Sequence, residues 1–190
     1  MNDRALAWPL SVRLLHWASA ALVFGLLGLG VYMVQFVHDA GHRFALTQTH
    51  KSLGVSVLAL TLVRLCVRVG AMAPKPEPAP QLVRIAAKAA HVGLYVLLLA
   101  MPLSGWLMTT TTPVRVPTVV FGLFELPYPL APDLPTYRLA RTIHVASALA
   151  LAALVVLHVV AALVHARVWR DTTVERMWRK PSRIEAMPGE

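Results

Sequence analysis

Cysteine and acid are the scarce residues in this chain of 190, which holds one Cys and nine Asp or Glu. With Cys66 alone there can be no intramolecular disulfide and no cysteine set for an iron–sulfur cluster. Cys66 itself is expected to be a small buried hydrophobe in the middle of a helix. Charge of either sign is also sparse. Only 14% of residues are charged against 57% hydrophobic, with a mean hydropathy of +0.60, and this excludes an ordinary soluble domain. The long apolar stretches hold almost no acids, which argues against a proton relay through carboxylates. No internal repeat is visible, and the sequence reads as a single integral-membrane domain over residues 1–190.

Four apolar stretches are long enough to span a bilayer: about 12–36, 48–69, 86–109 and 139–166. Lipid offers no partner for backbone N–H and C=O groups, so runs of this length are helices. The first contains Arg13 and His16 and lacks a convincing cleavage site, so it is expected to be retained rather than removed as a signal peptide. Placing the N-terminus, the 70–85 loop and the C-terminal tail on one side gathers thirteen of the eighteen Lys and Arg residues there. The positive-inside rule then puts both termini in the cytoplasm, and the fold class is an all-α bundle of four transmembrane helices running up-down-up-down. The net charge of +9 is read as topology signal and phospholipid anchoring, not as a nucleic-acid surface.

Connections follow from composition. A short loop is expected at 37–47, and the run from Ala73 to Pro80 is an extended proline-rich spacer that no helix can continue through. A long outer loop runs from Thr110 to Thr136, with Val116 to Leu126 apolar enough to lie on the membrane or to cover something beneath it. Trp169, Met177 and Trp178 among basic residues make the tail a short amphipathic segment on the inner leaflet.

Histidines carry the chemistry. His144 and His158 share the last stretch and are 14 residues apart, which on a helix puts them within about 40° of one face and roughly 21 Å apart. Helix direction places His16 near the cytoplasmic face and His50 near the opposite one. Depth therefore matches His16 with His158 and His50 with His144, each pair drawn from two helices, as a haem sandwiched in a bundle requires. Two imidazoles per iron leave no open position, which suits electron transfer. With no C-x-x-C-H motif, such haems would be b-type. The plain alternative is that intramembrane histidines only hydrogen-bond one another. A zinc site is disfavoured because no thiol or carboxylate joins either pair.

Gly25, Gly28 and Gly30, Gly54, and Ala146, Ser147 and Ala148 either make room for a porphyrin or let helices pack closely. Arg64 and Arg68 suit haem propionates or lipid phosphates equally. His91, level with the inner pair, can meet a quinone carbonyl, orient a propionate, relay a proton, or be merely structural. His165 is a weaker ligand candidate, and His38 and His42 read as solvated loop residues.

Taken in order, several segments resemble the bacterial cytochrome b561 family of small di-haem membrane proteins. They are Leu15-His16-Trp17, Thr49-His50-Lys51-Ser52-Leu53-Gly54 with Arg64 and Arg68 downstream, and His91-Val92-Gly93-Leu94-Tyr95 through Met101-Pro102. Ile143-His144, Leu157-His158 to His165, and Asp171-Thr172-Thr173 to Arg176-Met177 complete the set, so the resemblance covers nearly the whole length. It implies four helices in the bacterial inner membrane and two haem b groups ligated by His16, His50, His144 and His158. It also implies a membrane quinone such as ubiquinone as electron partner.

A known activity of that family is superoxide oxidation coupled to quinone reduction. Arg43, Lys51, Arg115, Arg138 and Arg141 can focus a small anion toward the outer haem, with Lys51 and Arg141 the candidates singled out. Alternatively, these five only contact headgroups and keep loops soluble. Two alternatives to this reading are an electron-carrier subunit linking quinone to a separate soluble or periplasmic redox protein, without catalysis of its own, and a haem-free structural membrane protein.

Overall fold

The computed structural model describes residues 7–178. Four long helices dominate: α1 Leu10–Gln35, α2 Ala40–Gly70, α3 Gln81–Thr111 and α4 Leu134–Val164. A two-stranded antiparallel hairpin, β1 Val119–Val120 and β2 Phe124–Glu125, interrupts the α3–α4 connection. After α4 come a π-helical turn, His165–Trp169, and a one-turn helix α5, Glu175–Trp178. All four long helices are long and apolar enough to cross a membrane, the last as Leu134–Trp169.

Three of the helices begin five or more residues before their apolar stretches. α2 starts at Ala40 rather than near 48, which shrinks the expected 37–47 loop to a few residues, and α3 and α4 start at Gln81 and Leu134. Hydropathy reports only the lipid-embedded part of a helix, whereas capping sets its end. The Asp39 carboxylate accepts from His42 N–H at 2.7 Å, and Asp133 accepts from Thr136 N–H at 2.8 Å, satisfying first-turn donors in both helices. His42 therefore lies in a helix, not in a loop. Hydrogen bonds from Thr136 also hold the Asp133 carboxyl below the usual range.

α1 packs on α2, α2 on α3, and α3 most extensively on α4. His16 near the start of α1 meets His158 near the end of α4, so α1 and α4 are antiparallel, and the alternation follows for the rest. The bundle thus has a tail end, where α1 begins and α4 ends, and a loop end that carries the hairpin.

The buried centre contains one residue from each helix: Val23, Val57, Leu98 and Leu151. Each is seven residues from a histidine toward one end: His16, His50, His91 and, on both sides, His144 and His158. Seven residues are two turns, about 10.5 Å. The same step onward leads to Gly30, Arg64 and Gly105. The bundle is thereby sorted into a tail-end layer (His16, Arg64, His91, His158), an apolar middle, and a loop-end layer (Gly30, His50, Gly105, His144). Much of the remaining apolar surface is exposed, including Phe24, Leu103, Leu149 and Val156, as lipid contact demands. Cys66 is exposed as well, contrary to the expected buried position, because it lies on the outward side of α2.

Candidate functional site

Each outer layer brings two imidazoles together across the bundle. The His50 and His144 ring centroids are 6.3 Å apart, and those of His16 and His158 are also 6.3 Å apart. Two metal–imidazole bonds of about 2.0–2.1 Å plus two ring radii of about 1.1 Å predict about 6.3 Å for imidazoles on opposite sides of one ion. Among the described residues, no group of three or more His, Cys, Asp or Glu side chains is arranged to hold a bare metal ion. Two opposed donors and nothing more fit an ion that brings its own equatorial ligands, as haem iron does.

At the loop end, the surroundings are shaped for a large planar group. A cavity of about 540 Å³ reaches both His50 and His144 and is also bordered by Gly54, Trp106 and Tyr137. The His144 ring is oriented by its Nδ1–H, which donates to the Met101 carbonyl at 3.0 Å, with Ser104 Oγ 3.1 Å away. A proton on Nδ1 leaves Nε2 as a free lone pair for a metal, the usual arrangement of a ligating histidine. A β-carbon at Gly105 would stand 3.2 Å from His144 Cε1, so glycine is what allows α3 to pass this ring. At Gly25, Gly28 and Gly54 an added Cβ would meet nothing within 4 Å, which marks open space rather than close helix packing.

Val116, Thr118 and Leu126, which flank the hairpin, border this cavity, and residues on either side of His50 hold the hairpin against α2. Gln48 Nε2 donates to the Pro117 carbonyl at 2.8 Å, and the buried Ser52 hydroxyl accepts from Phe121 N–H at 3.1 Å. Phe121 takes a positive φ of 49°, as does Gly122 at 74°, so the turn is tight enough to aim Phe121 N–H at α2. The Val116 to Leu126 segment thus borders the site.

The tail-end layer is more polar. Arg64 Nη2 donates to His16 Nδ1 at 2.9 Å and the guanidinium lies 5.3 Å from the Tyr95 ring centroid; this contact puts the imidazole proton on Nε2, so ligation through Nε2 requires the proton to move to Nδ1 and the guanidinium to draw back from it. The His91 ring is 5.4 Å from that of His158 and donates its own Nδ1–H to the Ala87 carbonyl at 2.6 Å. Arg68, expected beside Arg64, instead stacks over Trp8 at 3.9 Å and belongs to the membrane-surface end.

The other candidates separate. Lys51 and His38 border the loop-end cavity, which moves His38 from solvated loop to site. Arg141 is exposed on α4 and does not line the cavity. His165 is occupied elsewhere, with Nδ1 2.5 Å from Asp171 Oδ2. Burial raises the Asp171 carboxyl, but hydrogen bonds from His165 and Thr173 outweigh it and hold the group below its usual range. The tail itself is tied down: Arg176 pairs with Glu77 at 2.6 Å, and Trp17 Nε1–H donates to the Met177 carbonyl at 3.0 Å. Of the tail residues used to read topology, Arg179, Lys180 and Arg183 lie outside the described residues, as does Arg4.

Sequence reasoning did not find Ser104, Gly105 or Gln48, and gave no role to Ser52 or Met101. Only Gly105 left a usable signal: it continues the seven-residue series from His91 through Leu98.

Paired histidines held between membrane-spanning helices define a transmembrane b-type cytochrome, a protein of electron transfer. Comparison with known proteins gives the family. The description "prokaryotic cytochrome b561" matches residues 7–180, and the chain belongs to that family, which binds b-type haem. The chain is also 35% identical over 170 residues to cytochrome b561 homolog 2 of Escherichia coli strain K12, with 88% of each chain covered.

Proposed function

We propose that this cytochrome carries electrons across the bacterial inner membrane from superoxide on the periplasmic side to membrane quinone, with both termini in the cytoplasm. The observation that carries the reading is the pair of equal 6.3 Å histidine separations at opposite ends of one bundle, with a single apolar layer between them. Two haem b groups, one per pair, supply one-electron carriage when bound. His50 and His144 hold the periplasmic group, and His16 and His158 the cytoplasmic one.

The chain's own residues shape the two ends. Lys51 places a cation at the loop-end cavity, whose border holds no acid among the described residues, and so favours a small anion there. Two superoxide anions give up two electrons and leave as two molecules of oxygen, and one quinone takes two electrons and two protons to become quinol. At the cytoplasmic end, His91 presents Nε2 beside the inner layer, its Nδ1 proton already committed to Ala87. That nitrogen can accept and release a proton near the site of quinone reduction.

Stopped-flow mixing of the purified, haem-loaded protein with superoxide and a short-chain ubiquinone tests this. Reduction of haem followed by quinol formation is expected. Haem reduction without quinol formation would remove quinone from the reading, and no haem reduction by superoxide would remove the donor.

A further inference from the structure

The two histidine layers are built on one register but differ in charge. α2 supplies His50 to the loop-end layer and, fourteen residues on, Arg64 to the tail-end layer. Where α1 and α3 contribute Gly30 and Gly105 at the loop end, the tail end has His16 and His91. The Arg64 guanidinium is half-buried, touches His16, and pairs with no carboxylate among the described residues. Its Nε is buried without a hydrogen-bond partner among them. The aromatic face it meets is that of Tyr95. A guanidinium with no carboxylate partner inside a membrane bundle is costly.

From this asymmetry we infer that Arg64 biases the electron toward the tail-end haem, by making the His16/His158 iron the easier of the two to reduce. The inference rests on the two-haem reading above. A haem held by His16 and His158 would carry one more positive charge when ferric than when ferrous, so a cation close to that pair would favour the reduced state. At the loop end Arg43 and Lys51 border the cavity, but among the described residues neither hydrogen-bonds His50 or His144: Arg43 donates to the Val37 carbonyl, and the contacts of His144 are a carbonyl and a hydroxyl. The guanidinium stays protonated across the accessible pH range, so the bias is permanent. It acts through His16 and the iron, which makes Arg64 a positioning residue and not a catalytic one.

The test is an optical redox titration of the haem-loaded protein and its Arg64→Gln and Arg64→Lys variants, with haem counted by pyridine haemochrome. His16→Ala, which lacks the tail-end haem, assigns the two midpoints. Arg64→Gln is expected to keep both haems and to lower the tail-end midpoint alone, by at least tenfold in the electron's distribution, or about 59 mV. Arg64→Lys should restore most of the difference. Unchanged midpoints with both haems in place would overturn the inference. So would loss of the tail-end haem in Arg64→Gln with a wild-type midpoint in Arg64→Lys and no further effect of the glutamine in the remaining population, since Arg64 would then be an anchor only. Fewer than two haems in the unmodified protein would instead overturn the two-haem reading.

Discussion

Gly105 on α3 faces the His144 ring so closely that a single added carbon would approach Cε1 to 3.2 Å. Gly30 faces His50 from the opposite side of the bundle, at 3.8 Å from the same added carbon to Cε1. The loop-end histidines are therefore set by what α1 and α3 omit as much as by their own helices.

Replacing Gly105 should consequently act on one haem. Gly105→Ala is expected to shift the spectrum and midpoint of the loop-end haem only slightly. Gly105→Val should displace His144 and cost that haem most of its occupancy, while the tail-end haem stays. Reduced-minus-oxidised spectra with haem quantification measure both, and equal loss of the two haems in the valine variant would contradict the local argument.

The histidine pairs make a stricter prediction. His50→Ala and His144→Ala should each remove the same haem, and His16→Ala and His158→Ala the other, so every single variant retains about half the wild-type haem. His165→Ala should retain both, because its ring is committed to Asp171. Loss of one haem in His165→Ala with retention in His144→Ala would require a different ligand set.

Ser52 ties the hairpin to α2, and Gln48, one helical turn earlier, holds the chain just ahead of it at Pro117. Ser52→Ala leaves the Phe121 N–H unpaired, at a local cost of about 1–3 kcal/mol. Hydrogen exchange measured by mass spectrometry should speed up across residues 116–126 and stay unchanged in the helices. Equal exchange in wild type and variant would mean the hairpin is held by its own packing instead.

Cation placement separates the two residues proposed to steer superoxide. Lys51 borders the cavity and Arg141 does not, so Lys51→Glu should slow superoxide oxidation several-fold more than Arg141→Glu at low salt. Raising ionic strength should narrow the gap between wild type and Lys51→Glu, because the attraction is screened within about 10 Å at 0.1 M. Rates that are the same in all three proteins at low salt would rule out steering.

Composition and hydropathy were enough to read four spans, their alternating direction and the proline-rich break, because a bilayer tolerates so few alternatives. The helix starts were less legible: Asp39 and Asp133 cap beyond the apolar stretches, and a cap is a local hydrogen bond that hydropathy does not register. Arg64 and Arg68 looked equivalent at four-residue spacing, yet one turns toward His16 and the other toward Trp8, since residues that close on a helix can still face different neighbours. His38 and His42 were indistinguishable as loop residues until the folded chain placed one at the cavity and the other in the first turn of α2.

The sequence by itself determined the membrane class, the depth of each histidine and therefore which imidazoles share a level, because helical rise converts residue number directly into depth. What it left to the tertiary structure was everything lateral: the 6.3 Å approach of each pair, Gly105 against His144, the hairpin tied to α2 beside His50, and a guanidinium in hydrogen-bond contact with His16. Depth is a property of one helix, but lateral neighbours depend on how each helix is rotated and which others it packs against, and that is decided only when all four come together.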